Sequence, residues 1–111
     1  MPRYHLIVLS NAVAGQEDEF KRWYDQQHLG DLVRVPGIVA AQRFQPAAVQ
    51  QRPGAQPWQS MAIYECETDD LQRVIDAIGA RAGTPEMPIS SAFSPENYVC
   101  IFEPVTERLT A

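Results

Sequence analysis

The sequence predicts an α+β domain in which a four-stranded antiparallel sheet carries two helices on one face. Three observations predict it. Four short runs rich in β-branched and aromatic residues are bounded by turn formers, two stretches place apolar residues at helical spacing, and the order is βαββαβ. Two right-handed βα units in that order interlock into the sheet of the ferredoxin-like arrangement.

The first strand is Tyr4 to Asn11 (YHLIVLSN), an apolar run ending in polar turn formers. Tyr4, Leu6, Val8 and Ser10 share one side of it, and His5, Ile7, Leu9 and Asn11 the other. After the Ala14-Gly15 turn, Glu17, Asp18 and Glu19 open a helix, where the helix dipole favours negative charge. Phe20, Trp23, Tyr24, Gln27 and His28 follow at helical spacing, with Leu32 continuing the stripe beyond Gly30. His28 therefore falls on the buried side, one turn beyond Tyr24. Pro36-Gly37 ends the helix, and Ile38 to Phe44 (IVAAQRF) forms the second strand.

Pro46, Pro53-Gly54, Pro57 and several glutamines mark 45–57 as a hairpin loop rather than a domain linker. Trp58 to Cys66 is the third strand. Thr68 is the expected N-cap of a second helix, with Asp69 and Asp70 in its first turn. Leu71, Val74, Ile75 and Ile78 lie at i, i+3, i+4 and i+7, and Gly79 and Gly83 bound the end. Residues 82–96 carry Pro85, Pro88 and Pro95 with little periodicity, a loop of the length that forms lids and pocket rims. Asn97 to Glu103 (NYVCIFE) is the last strand, before a short polar tail.

Composition bounds the function classes. At 111 residues, 45% hydrophobic and 21% charged, the chain is expected to form one soluble globular domain over residues 1–111. A net charge of −5 without a basic stripe is the wrong balance for nucleic acid. Lys21 is the sole lysine, so no polybasic membrane patch forms. Leu6 to Leu9 mimics a signal peptide, but four apolar residues fall short of the roughly seven to fifteen such a signal needs. No run approaches the roughly 18 apolar residues of a membrane span. A cytoplasmic location is expected, with Cys66 and Cys100 as free thiols.

Both sides of the strands are apolar. One parity carries Leu6, Val8, Met61, Ile63, Tyr98 and Phe102, and the other carries Ile7, Leu9, Ala62, Tyr64, Val99 and Ile101. Helices cover only one face, and an apolar face of that size is not normally left in water. A two-fold dimer packing sheet against sheet covers it; so would the C-terminal tail or the 82–96 loop folded over it.

The stretch WYDQQHLGDLVRVPGIVAAQRF, within the βαββαβ order, resembles the dimeric α/β-barrel superfamily and most closely its EthD-like branch. The matching features are Trp23-Tyr24, His28 about one turn later, Pro36-Gly37, and an extended segment ending in Arg43-Phe44. The topology matches over the whole chain and the motif over residues 20–44. The superfamily includes polyketide cyclases, muconolactone isomerases, cofactor-independent monooxygenases, haem-degrading enzymes and members without known activity. In its cyclases and isomerases the pocket lies between the first helix and the sheet, and a histidine works as acid or base. The resemblance implies that His5, Ile7, Leu9 and Asn11 point at the helices, on the face of Ala62, Tyr64 and Cys66. His28, Tyr24, Tyr64, Asn11 and His5 would then converge on one cavity.

A histidine on an apolar helix face is in general a packed core residue; the motif match is what gives His28 a functional reading. An imidazole near its ordinary pKa of about 6.5 is the natural proton shuttle at neutral pH. Tyr64 is the expected second catalytic group, and Tyr24, Asn11, His5 and Arg43 the expected substrate contacts. Each also has a plain role: core aromatics for the tyrosines, a turn former for Asn11, a strand start for His5, an ion pair for Arg43. Cys66 has nothing beside it to depress its pKa. His5 and His28 are 23 residues apart with no His-x-x-x-His or Cys-x-x-Cys pairing, so no metal is expected. Haem-handling relatives take an axial histidine from the second half of the fold, and this chain has none after His28.

The expected function is cofactor-free acid/base chemistry of cyclase, isomerase or lyase type on a small aromatic or lactone-like oxygenated molecule. Alternatives are a cofactor-independent monooxygenase and a non-catalytic ligand-binding or stress-response barrel. A homodimer is expected in each case.

Overall fold

A computed structural model describes residues 1–111. Strand β1 is Arg3–Ala12, β2 Ile38–Phe44, β3 Ser60–Glu67 and β4 Phe93–Phe102. They form one sheet in the order β2-β3-β1-β4 with every neighbouring pair antiparallel. Helix α1 is α-helical over Glu17–Trp23, π-helical over Tyr24–His28 and α-helical again over Leu29–Val33; α2 is Leu71–Arg81. This is the ferredoxin-like arrangement. No helix is long and apolar enough to cross a membrane.

The core lies between α1, α2 and one face of the sheet. Phe20, Trp23, Tyr24 and Leu32 from α1 and Val74 from α2 meet Ala62, Tyr64 and Cys66 from β3, with Tyr4, Leu6 and Val8 of β1 packed against them. The parity expected for β3 holds, and that for β1 is reversed. In the β1–β3 ladder Tyr4 lies opposite Cys66, Leu6 opposite Tyr64, Val8 opposite Ala62 and Ser10 opposite Ser60. Directly opposed residues share a face, so these point at the helices, and His5, Ile7, Leu9 and Met61 point away. Both parities of β1 are apolar, so period two alone gives no direction; pairing with β3 decides it.

Several boundaries also move. Strand β4 begins at Phe93, where a register shift with the extra residues on β4, between Phe93 and Asn97, lets Ala12 pair with Phe93. Pro95 is tolerated there because β4 is an edge strand. Trp58 lies outside β3. Asp70, not Thr68, caps α2: its carboxylate accepts from Arg73 N–H at 3.2 Å, while Thr68 Oγ1 accepts from Asp70 N–H. Gly79 sits inside α2, and Gly83, with φ 82°, follows its end.

The proline-rich segment after α2 is a packed element. Met87 and Ala92 are core residues, and Pro88 C=O accepts from the Trp23 indole N–H at 2.9 Å. It lies on the helix side and leaves the far face bare. The tail 103–111 is exposed throughout. Neither covers Ile7, Leu9, Phe44, Met61, Ile63, Tyr98 and Phe102, which share the open face by register. Cys66 and Cys100 are both free and lie on opposite faces of the sheet.

Gly37 joins α1 to β2 at φ 101°, in the left-handed region, where an added Cβ would stand 2.7 Å from Val74 Cγ2. Backbone strain and overpacking add here, so Gly37→Ala is expected to cost about 3 kcal/mol, read as a lowered urea midpoint.

Candidate functional site

The π-helical turn sets the geometry of the site. Leu29 N–H donates to Tyr24 C=O, five residues back. On a regular 3.6-residue turn, side chains five apart point about 140° away from each other. The π-turn brings Trp23 and His28 together instead, their rings stacked with centroids 4.4 Å apart and 25° between planes. Tyr24 meets the same imidazole edge-on at 5.3 Å, and Phe93 packs on Trp23 and Tyr24 from β4. π-bulges in helices are frequent at functional sites.

His28 is thus held in an aromatic wall. Its Nδ1 is buried with no hydrogen-bond partner. Burial pulls its pKa down to about 4, against a weaker opposing pull from Asp31. The imidazole is neutral at physiological pH, with a free lone pair. Asp31 is itself buried; its carboxylate accepts from Gln27 at 2.9 and 3.0 Å and from Arg34 at 2.8 Å.

A depressed histidine pKa makes a prediction about stability. The unfolded chain binds a proton near pH 6.5 and the folded one only near pH 4, so stability is full above 6.5 and falls as pH drops to 4. The loss across that window is on the order of 3 kcal/mol. His28→Ala should flatten this part of the profile in urea melts run at stepped pH.

Tyr24 and Tyr64 come together as expected, with two unanticipated serines. Ser10, Ser60, Tyr24 and Tyr64 are each no more than 2% exposed, and none of the four hydroxyls makes a hydrogen bond of acceptable geometry. The Tyr24 hydroxyl lies close to those of Tyr64 and Ser10, and burial raises the pKa of both phenols. They remain protonated and able to donate. Ser10 closes the apolar run of β1 and Ser60 opens β3, and only the pairing of the two strands shows that both face the helices.

Arg43 joins the cluster from β2. Its guanidinium lies 5.9 Å from the Tyr24 ring centroid and donates to both Asp25 carboxylate oxygens, at 2.6 and 2.8 Å. It also lines a cleft of about 360 Å³ at the end of the sheet, with Asn11, Phe20, Lys21, Gln45 and Gln59. Asn11 is already engaged: its Nδ2 donates to Pro57 C=O and its Oδ1 accepts from Gln59 N–H, bracing the β2–β3 loop. His5 faces away. It lies opposite Glu65 on the open face, so the sheet separates it from His28. Burial raises the Cys66 pKa, which suits a packed thiol.

No family model and no curated protein matches this sequence. Among solved structures, an EthD-like protein from Ralstonia eutropha JMP134 is similar with a TM-score of 0.67 at 13% identity, covering 97% of this chain and 96% of that one. A proposed antibiotic biosynthesis monooxygenase from Nitrosomonas europaea is similar with a TM-score of 0.63 at 14% identity, over 95% and 92% of the two chains. The heme-degrader MhuD of Mycobacterium tuberculosis, solved with two hemes in its active site, gives 0.63 at 18% identity over 95% and 98%. The chain has the fold of the EthD-like and monooxygenase-like α/β barrels, in agreement with the motif of residues 20–44. Identities this low speak for the fold alone.

Proposed function

We propose that the chain is an enzyme that moves a proton on a small aromatic or lactone-like substrate without a bound cofactor. His28 is the base or acid, and Tyr64 donates to the substrate oxygen that gains charge. Tyr24 and Arg43 contact the substrate. The observation behind this reading is a neutral imidazole with an unpartnered nitrogen, held in an aromatic wall. The reaction class covers aldol-type cyclisation, lactone isomerisation and lyase steps. Its test is turnover of aromatic ketones, phenols and lactones by mass spectrometry. Loss of turnover in a folded His28→Ala variant supports the reading, and equal turnover in both proteins overturns it.

The likeness to the Nitrosomonas protein favours a second reading, oxygenation of a deprotonated substrate. Oxygen consumption during turnover separates the two. Heme, which MhuD holds, is not part of this reading: His5 lies across the sheet and no histidine follows His28 to serve as an axial ligand.

The chain is further proposed to act as a cytoplasmic homodimer joined through the open sheet face. Exposed Tyr98 and Phe102 beside Ile7, Met61 and Ile63 support the interface, and the two free cysteines support the compartment.

A further inference from the structure

The open face of the sheet is ordered in rungs, with charge at one end and apolar side chains beyond it. On the two central strands Arg3 lies opposite Glu67 and His5 opposite Glu65, and Ile7–Ile63 and Leu9–Met61 follow. Phe102 continues the His5 rung onto the β4 edge, and Ala40 ends it on the β2 edge. The positive side chains of this face thus stand on β1 and the negative ones on β3. Arg3, His5, Glu65 and Glu67 take part in none of the ion pairs within the chain. Size is divided in the same way. The β4 edge carries an exposed ring, Phe102, and the β2 side carries a hollow of about 280 Å³ lined by Ala40, Phe44 and Ile63.

A second copy of the chain covers this face through a two-fold axis lying between the two sheets. Of the axes that keep the strands aligned, one runs along them and one across them. With the strand order β2-β3-β1-β4, an axis along the strands between β1 and β3 sets β1 over β3 and β4 over β2. Each rung keeps its own height. His5 then meets Glu65 of the second copy, Arg3 meets Glu67, Ile7 meets Ile63 and Leu9 meets Met61. Phe102, 61% exposed, comes down over Ala40 at the hollow. An axis across the strands through the Ile7 rung reverses the rungs. His5 and Glu65 would then fall on Leu9 and Met61, and charge would be buried against hydrocarbon. Charge and size both select the axis along the strands.

We propose that two copies pack sheet on sheet about this axis, with Arg3 and His5 of each facing Glu67 and Glu65 of the other. This rests on the homodimer proposed above, and it names how the copies meet and a condition that regulates them. Histidine is the side chain that gains charge between pH 8 and 5, while a glutamate stays ionised over most of that range. The charged groups around His5 are Arg3 of its own strand, Glu65 and Glu67 of β3, and Glu65 and Glu67 of the second copy. Strands β2 and β4 bring only Ala40, Gln42 and Phe102 to this end of the face. With His5 neutral, the two carboxylates of each copy outweigh its one arginine. Protonation of His5 balances them, so association tightens as the pH falls.

The test is analytical ultracentrifugation of the full chain in a dilution series at low salt. The wild-type dimer dissociation constant should fall roughly three- to tenfold from pH 8 to pH 6, and that of His5→Gln should stay level. At pH 6, His5→Glu and Glu65→Lys should each weaken the dimer at least about tenfold, since each sets like charges face to face twice. Mixed in equal amounts, these two variants should sediment as dimer at concentrations where each alone is monomer. The new carboxylate of one then faces the new ammonium of the other, and His5 of the second faces Glu65 of the first. Variants that associate as tightly as wild type, a mixture that stays monomeric, or a pH dependence that survives in His5→Gln overturns this arrangement, while a dimeric wild type leaves the homodimer standing. Wild type that stays monomeric at every concentration overturns both.

Discussion

His28→Ala is expected to lower turnover by about 10²–10⁴-fold, the usual contribution of a positioned general base or acid. The protein should stay folded, because the lost ring takes with it a buried nitrogen that has no partner. Stacking on Trp23 and the edge contact with Tyr24 are lost, at a cost of about 1 kcal/mol. The pH dependence gives a second signature. With its pKa near 4, His28 is already unprotonated at pH 6, so its acid limb should appear well below that of an ordinary imidazole. Rates measured from pH 4 to 8 in wild type, with melting temperatures for both proteins, check the two expectations together.

The second large effect concerns assembly. Ile63 sits on β3 in the open face, opposite Ile7 on one side and Gln42 on the other. A two-fold axis through this face presents every substitution twice. Ile63→Glu would bury two unpaired carboxylates, so the dimer should dissociate more than about a thousandfold more readily, equivalent to roughly 4 kcal/mol. Size-exclusion chromatography with light scattering reads this directly. Wild type should run at twice the 12.5 kDa chain mass and the variant at one chain mass. Equal masses for the two proteins contradict the interface.

Much of the fold was legible because its signals are local. Leu71, Val74, Ile75 and Ile78 specify α2 on their own, and IVAAQRF, short and set off by Pro36-Gly37, reads as a strand. His28 was placed on the buried side by simple helical spacing, and it lies there. What was illegible depends on pairing and on a change of helical period. The face of β1 is set by β3, since Leu6 and Ile7 are equally apolar, and so His5 was aimed at the wrong side, whereas Asn11, beyond the paired stretch, lines the cleft with Phe20 and Arg43. The π-turn arises from a five-residue hydrogen bond that no spacing rule anticipates, yet it brings Trp23 onto His28. Asp31 was passed over because an aspartate is ordinarily solvated; Gln27 and Arg34 make its burial tolerable. The hydroxyl cluster needed three elements in place before Ser10 and Ser60 had meaning.

The site also shows a division of labour along α1. The N-terminal part offers Phe20 and Lys21 to the cleft, the π-turn supplies Tyr24, Asp25 and His28, and the last turn carries Asp31. Each step tightens the link from helix geometry to chemistry. A change of helical period lays His28 against Trp23, and the sheet opposite carries the buried hydroxyls.

The measurement closest to the central claim is solvent-deuterium incorporation at the carbon beside the carbonyl in a set of aromatic ketones and lactones. Mass spectrometry would follow wild type and His28→Ala in parallel, in heavy water at neutral pH. The account predicts enzyme-dependent exchange in wild type, confined to ligands that fit the cavity, and background exchange in a folded His28→Ala. Equal exchange in both proteins, or none in wild type with a ligand shown to bind, would contradict it.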